Sequence, residues 1–347
     1  MKNIERINRT FELRHLNNIK RNQEKIKKAY QKAIDKIFAG LPKVKQQDKF
    51  DITKLPQLNR LVDNVLAKWN EEVTTIFING IHESWELSGA KLNEVIKDYA
   101  IGKELVPLIL DQLKDRNLEA YESFLNRKTG SKGLNLSQRV WNYHNQFRFE
   151  IENNLAMGIK EGRSATLMAR DQKRYLVEPD RLFRRIRNHE GKLVISKAAK
   201  SYNPGQGVYR SSFKNTLRFT RTETNMAYRS ADHHNYNAMP MVMGFEVKLS
   251  ARHPRPDICD HLKGKYPKTF KFVGWHPQCI CFTVPIMASN DEFLKFIDAL
   301  QEDKDYNFKG MITQNPPQLN EYILKNKETI KKYINKPYWI KDNGIKI

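Results

Sequence analysis

Apolar residues recur every three or four positions along the first 130 residues, with lysines and other polar residues between them. Residues 1–39 show this pattern most clearly, and Gly40 with Pro42 marks its end. Stretches 58–87 and 90–113 show it again. Because no single-residue alternation typical of strands interrupts these stretches, we predict an α-helical N-terminal region over residues 1–130.

A second region, residues 135–287, follows a stretch rich in Gly, Lys and Ser. It also opens with helices, of which Ser137 is predicted to cap one and Ser164 the next, after a break at Gly162. A further helix is predicted through LRFTRTETNMAYRSADHHNYN, ending near residue 237.

The pattern then changes from helix to strand. In MVMGFEVKLSA, Phe245 and Val247 alternate with charged residues, and CICFTVPIM has the β-branched content of a second strand. Residues 289–303 again favour a short helix, which opens a basic helical C-terminal tail over 288–347. The predicted fold class is α+β: predominantly α-helical, with a small β-containing Cys/His module near the C-terminus.

Positive charge is the strongest global feature, with a formal net charge of +22 at pH 7 in 347 residues. Such a surface attracts polyanions such as double-stranded DNA, and a solvated basic surface without a partner is the alternative interpretation. Arginine side chains suit phosphate oxygens, and four arginines lie close together between residues 181 and 187. A solvated helix face is the alternative interpretation of this stretch. The candidate DNA contacts are Arg181, Arg184, Arg185 and Arg187.

The chain shows no run of about 18 apolar residues, the length needed to cross a bilayer. Its first residues lack the apolar core of a signal peptide. We therefore expect synthesis in a cytosol, reduced thiols and no membrane partner.

All three cysteines lie within residues 257–281, beside several histidines. The set Cys259, His276, Cys279 and Cys281 offers four soft or imidazole ligands, as a tetrahedral structural zinc requires. Buried thiols without a metal are the alternative. A catalytic zinc would need an open coordination position and a nearby general base, which no motif here indicates.

Three motifs follow one another between residues 221 and 281, and their matching residues can be named together. They are Arg221, Thr222 and Glu223; then Asp257, Cys259, Leu262, Gly264 and Tyr266; then His276, Pro277, Cys279 and Cys281. This ordered set resembles the Mu F-like minor head proteins of tailed bacteriophages, the phage head-morphogenesis family. The likeness covers about residues 135–287. It departs from the family at Pro256, where many members have a cysteine, and at Ile280, where arginine is common.

The resemblance implies a structural minor head protein of a tailed phage or prophage, located in the virion head and assembled in the bacterial cytoplasm. Its expected partners are the portal or other head proteins and the packaged double-stranded DNA, with no small-molecule substrate. For a cofactor, the residues leave two alternatives open: one structural zinc, or none. By the same resemblance, Arg221, Glu223, Asp257 and Gly264 are structural residues of the family motif.

Two enzymatic alternatives stay open on the sequence. One is a metal-dependent nuclease with His233 or His234 as its base, and the other is a toxin-like effector. Neither a GxxxxGK[ST] phosphate loop nor a GxSxG nucleophile elbow is present in the chain.

Overall fold

The computed structural model describes residues 2–42, 50–99, 118–129, 133–195, 202, 204, 207–253 and 255–347. Its helices are α1 (Lys2–Ala39), α2 (Pro56–Tyr99), α3 (Leu136–Lys160), α4 (Ala165–Val177), α5 (Ser212–Ala238), α6 (Ile258–Leu262), α7 (Asn290–Gln301), α8 (Pro317–Lys331) and α9 (Tyr338–Lys341), with a further helical segment at 118–126. Its strands are β1 (Arg184–Arg187), β2 (Leu193–Ile195), β3 (Val242–Lys248), β4 (Gly264–Tyr266) and β5 (Phe282–Met287). The predicted α+β class, mostly helical, is confirmed.

The second long helix differs from its prediction. α2 continues through Ser88 and Gly89 to Tyr99, whereas the sequence predicted two helices that meet there. A glycine inside a helix costs only about 1 kcal/mol relative to alanine, so packing decides the outcome. Here the buried Ser88 hydroxyl donates a 2.5 Å hydrogen bond to Asp232. The remainder of the predicted third helix, from residue 100 to 113, lies outside the described residues.

The start of α3 also corrects a prediction, because Asn135 caps this helix and Ser137 does not. The Asn135 side chain accepts a hydrogen bond from the backbone N–H of Gln138 at 2.9 Å. The Gln138 side chain in turn accepts from the Asn135 N–H at 3.0 Å, which completes a capping box. The predicted cap of α4 is confirmed, since the Ser164 hydroxyl accepts from the Leu167 N–H.

The chain divides into two compact units: residues 1–19, 80–134 and 221–347 form unit 1, and residues 20–79 and 135–220 form unit 2. Unit 2 is built around aromatic packing, in which the ring centroid of Tyr30 lies 4.9 Å from that of Trp69 and 4.5 Å from that of Phe147. The division predicted from the sequence, into 1–130, 135–287 and 288–347, uses consecutive stretches of the chain. It stays a prediction.

Unit 1 contains a three-stranded antiparallel sheet with the order β4-β3-β5. Phe245 of β3 pairs with Tyr266 of β4 on one side and with Pro285 of β5 on the other. Strand β4 was not predicted, because three residues are too few to show an alternation.

The C-terminal segment packs into the core beside this sheet. Leu319 and Ile323 of α8 and Trp339 of α9 are buried in one cluster with the residues of the sheet. The Trp339 ring meets the Trp275 ring edge to face, with their centroids 5.7 Å apart. The segment predicted as a basic tail is therefore part of the hydrophobic core of unit 1.

Candidate metal centre

The three cysteines converge where α6 meets the loop that precedes β5. Cys259 lies in α6. The sequence predicted Cys279 and Cys281 in the second strand, but β5 begins only at Phe282, so both cysteines lie in the loop before it. Their sulfur atoms all lie within 4.8 Å of one another, and those of Cys259 and Cys279 are 3.7 Å apart. Cys259 and Cys281 are 0% exposed and Cys279 is 3% exposed. The cluster can hold one metal ion between its three sulfur atoms.

His276, the fourth predicted ligand, lies at the edge of this cluster. Its Nε2 atom is 3.2 Å from the sulfur of Cys259 and 3.2 Å from Oδ2 of Asp257. Its Nδ1 atom lies 2.8 Å from the carbonyl oxygen of Pro277, a distance at which Nδ1–H donates. Nε2 then faces a sulfur and a carboxylate oxygen, an arrangement that a shared cation would bridge.

Asp257 positions Cys259 by capping α6. Its side chain accepts a 2.7 Å hydrogen bond from the Cys259 N–H, and the Asp260 side chain accepts from the Asp257 N–H at 2.8 Å. Partial burial acts to raise the pKa of Asp257, but the hydrogen bonds from Cys259 and the neighbouring His276 outweigh it and lower this pKa. The carboxylate therefore stays ionised and fixes the first turn of α6.

A second group of candidate ligands overlaps the first. His253, Asp257 and Cys259 also lie within 4.8 Å of one another, with His253 Nε2 3.2 Å from Asp257 Oδ1. Within the part of the chain that the structure describes, these two groups are the His/Cys/Asp/Glu sets close enough to hold an ion. Neither set includes the predicted ligand His276, nor His233 or His234.

The thiols differ in acidity because they share hydrogen bonds. Cys279 accepts from Cys259 and Cys281, which lowers its pKa well below the usual value of a thiol. The same hydrogen bond raises the pKa of Cys259, which acts as the donor. Cys279 is therefore the sulfur that ionises first, and thiolate is the form that binds metals.

The path of the loop depends on two positions with left-handed backbone. Gly274 has φ +112°, and a Cβ there would lie 3.1 Å from the Cβ of Cys279. Gln278 has φ +66°, and its N–H donates to the Thr222 hydroxyl of α5 at 3.2 Å. The first and third sequence motifs are thus joined by a hydrogen bond.

The remaining motif residues lie around this loop. Glu223 is buried and forms an ion pair with Arg127 of the segment after α2, a partner that the sequence did not reveal. Burial lowers the pKa of the Arg221 guanidinium, against the opposing effect of nearby Cys279. Gly264 opens β4 with φ +147°, and a Cβ there would lie 2.5 Å from the side-chain nitrogen of Gln318.

A buried charge network, which the sequence did not indicate, lies on α5 in the same unit. Arg229 Nη1 is 2.6 Å from Glu12 Oε1 and 3.1 Å from Asp232 Oδ2. Lys91 Nζ lies 2.6 Å from Asp232 Oδ1, and the Thr283 hydroxyl donates to Asp232 Oδ2 at 3.1 Å. Two cations and two anions thus connect α1, α2, α5 and β5. One part of the network had a signal in the sequence: Arg229 and Asp232 are three residues apart on α5, a spacing at which helical side chains pair.

His233, the candidate base of the nuclease alternative, is held neutral near pH 7. Burial, with a further contribution from Lys271, lowers its pKa to about 4. One ring nitrogen lies 3.2 Å from the amide nitrogen of Asn237.

The predicted DNA-contact arginines belong to unit 2 and do not share a helix face. Arg181 ends a short 3₁₀ helix, Pro179–Arg181, and its Nη1 atom lies 3.0 Å from Glu178 Oε1. Arg184, Arg185 and Arg187 lie in β1, which pairs antiparallel with β2. The solvated-helix interpretation of this stretch is therefore wrong, while DNA contact stays a prediction.

No helix among the described residues is long and apolar enough to cross a membrane. The chain matches no protein-family model, no curated protein and no solved structure.

Proposed function

We propose that this protein is a structural minor head protein of a tailed phage or prophage, in which the cysteine cluster is a brace and not a catalytic centre. The observation that carries the proposal is the burial of Cys259, Cys279 and Cys281 among core side chains of unit 1. A catalytic metal needs an open position that substrate or water can reach, whereas a structural metal is enclosed by its ligands.

We propose zinc as the ion. With Zn–S distances of about 2.3 Å, two sulfur ligands of a tetrahedral site lie about 3.8 Å apart. The observed distance between the sulfur atoms of Cys259 and Cys279 is 3.7 Å. For a sulfur and an imidazole nitrogen the expected separation is about 3.6 Å, against 3.2 Å between Cys259 Sγ and His276 Nε2. Bound zinc would supply cross-linking between α6 and the loop before β5. Asp257 would orient Cys259 through the cap of α6, and the Pro277 carbonyl would orient His276 through its Nδ1–H.

The ordered likeness to Mu F-like proteins supports the assignment to head assembly. In unit 1 the residues of that pattern contact one another: Thr222 meets the loop at Gln278, and Asp257 meets both Cys259 and His276. The proposed partners are the portal or other head proteins, with the packaged DNA as a further contact. The proposed location is the virion head, after assembly in the bacterial cytoplasm.

The test of this proposal is association with a portal protein. We expect portal and terminase genes beside the gene for this chain, and we expect the purified protein to co-sediment with the oligomer encoded by that portal gene. Sedimentation of the well-folded protein apart from the portal oligomer would overturn the assignment to head assembly.

A metal-dependent nuclease is the second candidate, favoured by the partial exposure of His253 and Asp257 beside the buried Cys259. Incubation of plasmid DNA with the purified protein and Mg²⁺, Mn²⁺ or Zn²⁺ separates the two functions. We expect intact plasmid in every reaction. Cleavage that disappears in Asp257→Asn, or in the double variant His233→Ala and His234→Ala, would contradict the structural role.

A further inference from the structure

The part of α1 that belongs to unit 2 has a strongly basic solvent face. The exposed residues between positions 20 and 36 are Lys20, Arg21, Glu24, Lys25, Lys28, Lys32, Asp35 and Lys36. At 3.6 residues per turn, Arg21, Lys25, Lys28, Lys32 and Lys36 fall within an arc of about 80°. From Arg21 to Lys36 the helix rises about 22 Å. The basic face, defined by these five residues, is therefore one continuous stripe.

Three of these cations are not held in an ion pair within the described part of the chain. Lys25, Lys28 and Lys36 form no ion pair among the described residues, whereas Lys32 pairs with Glu72 at 2.8 Å. Two exposed acids lie beside the stripe: Asp35 is itself paired with Lys173, and Glu24 lies one turn before Lys28. Lys25, Lys28 and Lys36 give the face an excess of positive charge, and a polyanion would relieve the repulsion between these lysines.

The composition of the basic face distinguishes between kinds of partner. Protein–protein interfaces have an apolar or aromatic centre and are depleted in lysine. Single-stranded nucleic acids are held by stacking on aromatic side chains. Between residues 20 and 36 no large hydrophobic or aromatic side chain is exposed. Evenly spaced lysines without such anchors fit the phosphate backbone of a duplex, where contacts are electrostatic and independent of sequence.

We propose that the basic face of α1 binds the phosphate backbone of double-stranded DNA without sequence preference. This inference deepens the proposed function, because it assigns the contact with packaged DNA to a surface. It adds α1 to the arginines predicted from the sequence, of which Arg181 is already paired with Glu178.

The test measures binding of a fluorescein-labelled 30-base-pair duplex of mixed sequence by anisotropy between 50 and 200 mM NaCl. The variant carries Lys25→Gln, Lys28→Gln and Lys36→Gln. Its matched control carries Lys325→Gln, Lys332→Gln and Lys346→Gln, which remove the same charge from exposed positions of unit 1. A third variant with arginine at positions 25, 28 and 36 retains the charge.

We expect the α1 glutamine variant to bind at least tenfold more weakly at 100 mM NaCl. Its slope of log affinity against log salt should fall by about 2 to 3, since each phosphate contact contributes about 0.9. The control and the arginine variant should bind like the unmodified chain. Equal losses in the α1 and control variants, unchanged binding by the α1 variant, or no duplex binding by the unmodified chain would each overturn the inference. Metal content and portal co-sedimentation of the unmodified chain are measured separately from duplex binding, so failure of this inference is distinguishable from failure of the proposed function.

Discussion

The sulfur of Cys259 and the Nε2 nitrogen of His276 lie 3.2 Å apart, although 17 residues separate them in the chain. α6, capped by Asp257, holds the sulfur, and the loop that bends at Gly274 holds the imidazole. The contact joins the five-residue helix α6 to a loop without regular secondary structure. It ties α6, which leads into β4, to the loop that precedes β5.

The first prediction concerns the buried charge network. Arg229→Met leaves Glu12 and Asp232 buried with only Lys91 to compensate them, so we expect a loss of about 3–5 kcal/mol in the free energy of unfolding. Urea denaturation followed by circular dichroism measures it. As a control, Glu302→Gln removes an exposed pair with Lys304 and should cost less than about 1 kcal/mol. Equal effects of the two substitutions would contradict the network's role.

The second prediction concerns the C-terminal segment. Trp339 is 1% exposed and packs on Trp275, so Trp339→Ala should cost about 3–5 kcal/mol in thermal or urea unfolding. Ile334, five residues earlier, is 85% exposed, and Ile334→Ala should change stability by less than about 0.5 kcal/mol. If both variants unfold like the unmodified chain, the segment does not belong to the core.

The third prediction concerns pH. Burial raises the pKa of Glu150 to about 8, while its side chain accepts hydrogen bonds from the N–H and hydroxyl of Ser212. The folded state keeps this proton above the ordinary pKa of 4.5, so stability from this group falls as pH rises between about 4.5 and 8. The limiting slope is about 1.4 kcal/mol per pH unit.

Glu150→Gln isolates this contribution, because the amide keeps a similar shape and does not titrate. Urea midpoints at pH 5, 6, 7 and 8 should fall more steeply for the unmodified chain than for the variant. Parallel pH profiles of the two proteins would show that Glu150 titrates as an ordinary carboxyl group.

The fourth prediction concerns the start of α3. Asn135→Ala removes the cap and should destabilise the protein by about 1 kcal/mol. Ser137→Ala, two residues later at an exposed helical position, should be within about 0.5 kcal/mol of the unmodified chain. A larger loss of stability in Ser137→Ala than in Asn135→Ala would show that Ser137 caps α3, as the sequence predicted.

The sequence predicted those elements whose signal is local. Apolar periodicity predicted α1 and its end near Gly40, and alternation around Phe245 predicted β3. Capping residues left a choice, since Asn135 and Ser137 are both good caps and only the backbone geometry distinguishes them. α2 was divided in two because Ser88 and Gly89 resemble a break until their tertiary contacts are known.

The candidate site was predicted in part. The clustering of cysteines in sequence indicated the site, and the structure brings the three sulfur atoms together. Residues that lie far apart in sequence could not be found in this way: Arg229 and Glu12 are 217 positions apart, and in a sequence a buried charge looks like a solvated one. The burial of Trp339 was also missed, because the lysines around it suggested an exposed tail.

The most direct test of the central claim is the zinc content of protein purified without chelator, measured by plasma mass spectrometry beside its melting temperature. We expect about one zinc per folded chain, a large fall in Cys279→Ser, and a lower melting temperature once a chelator removes the metal. Folded protein that contains no zinc, and melts at the same temperature with or without chelator, would contradict a metal-stabilised brace at Cys259, Cys279 and Cys281.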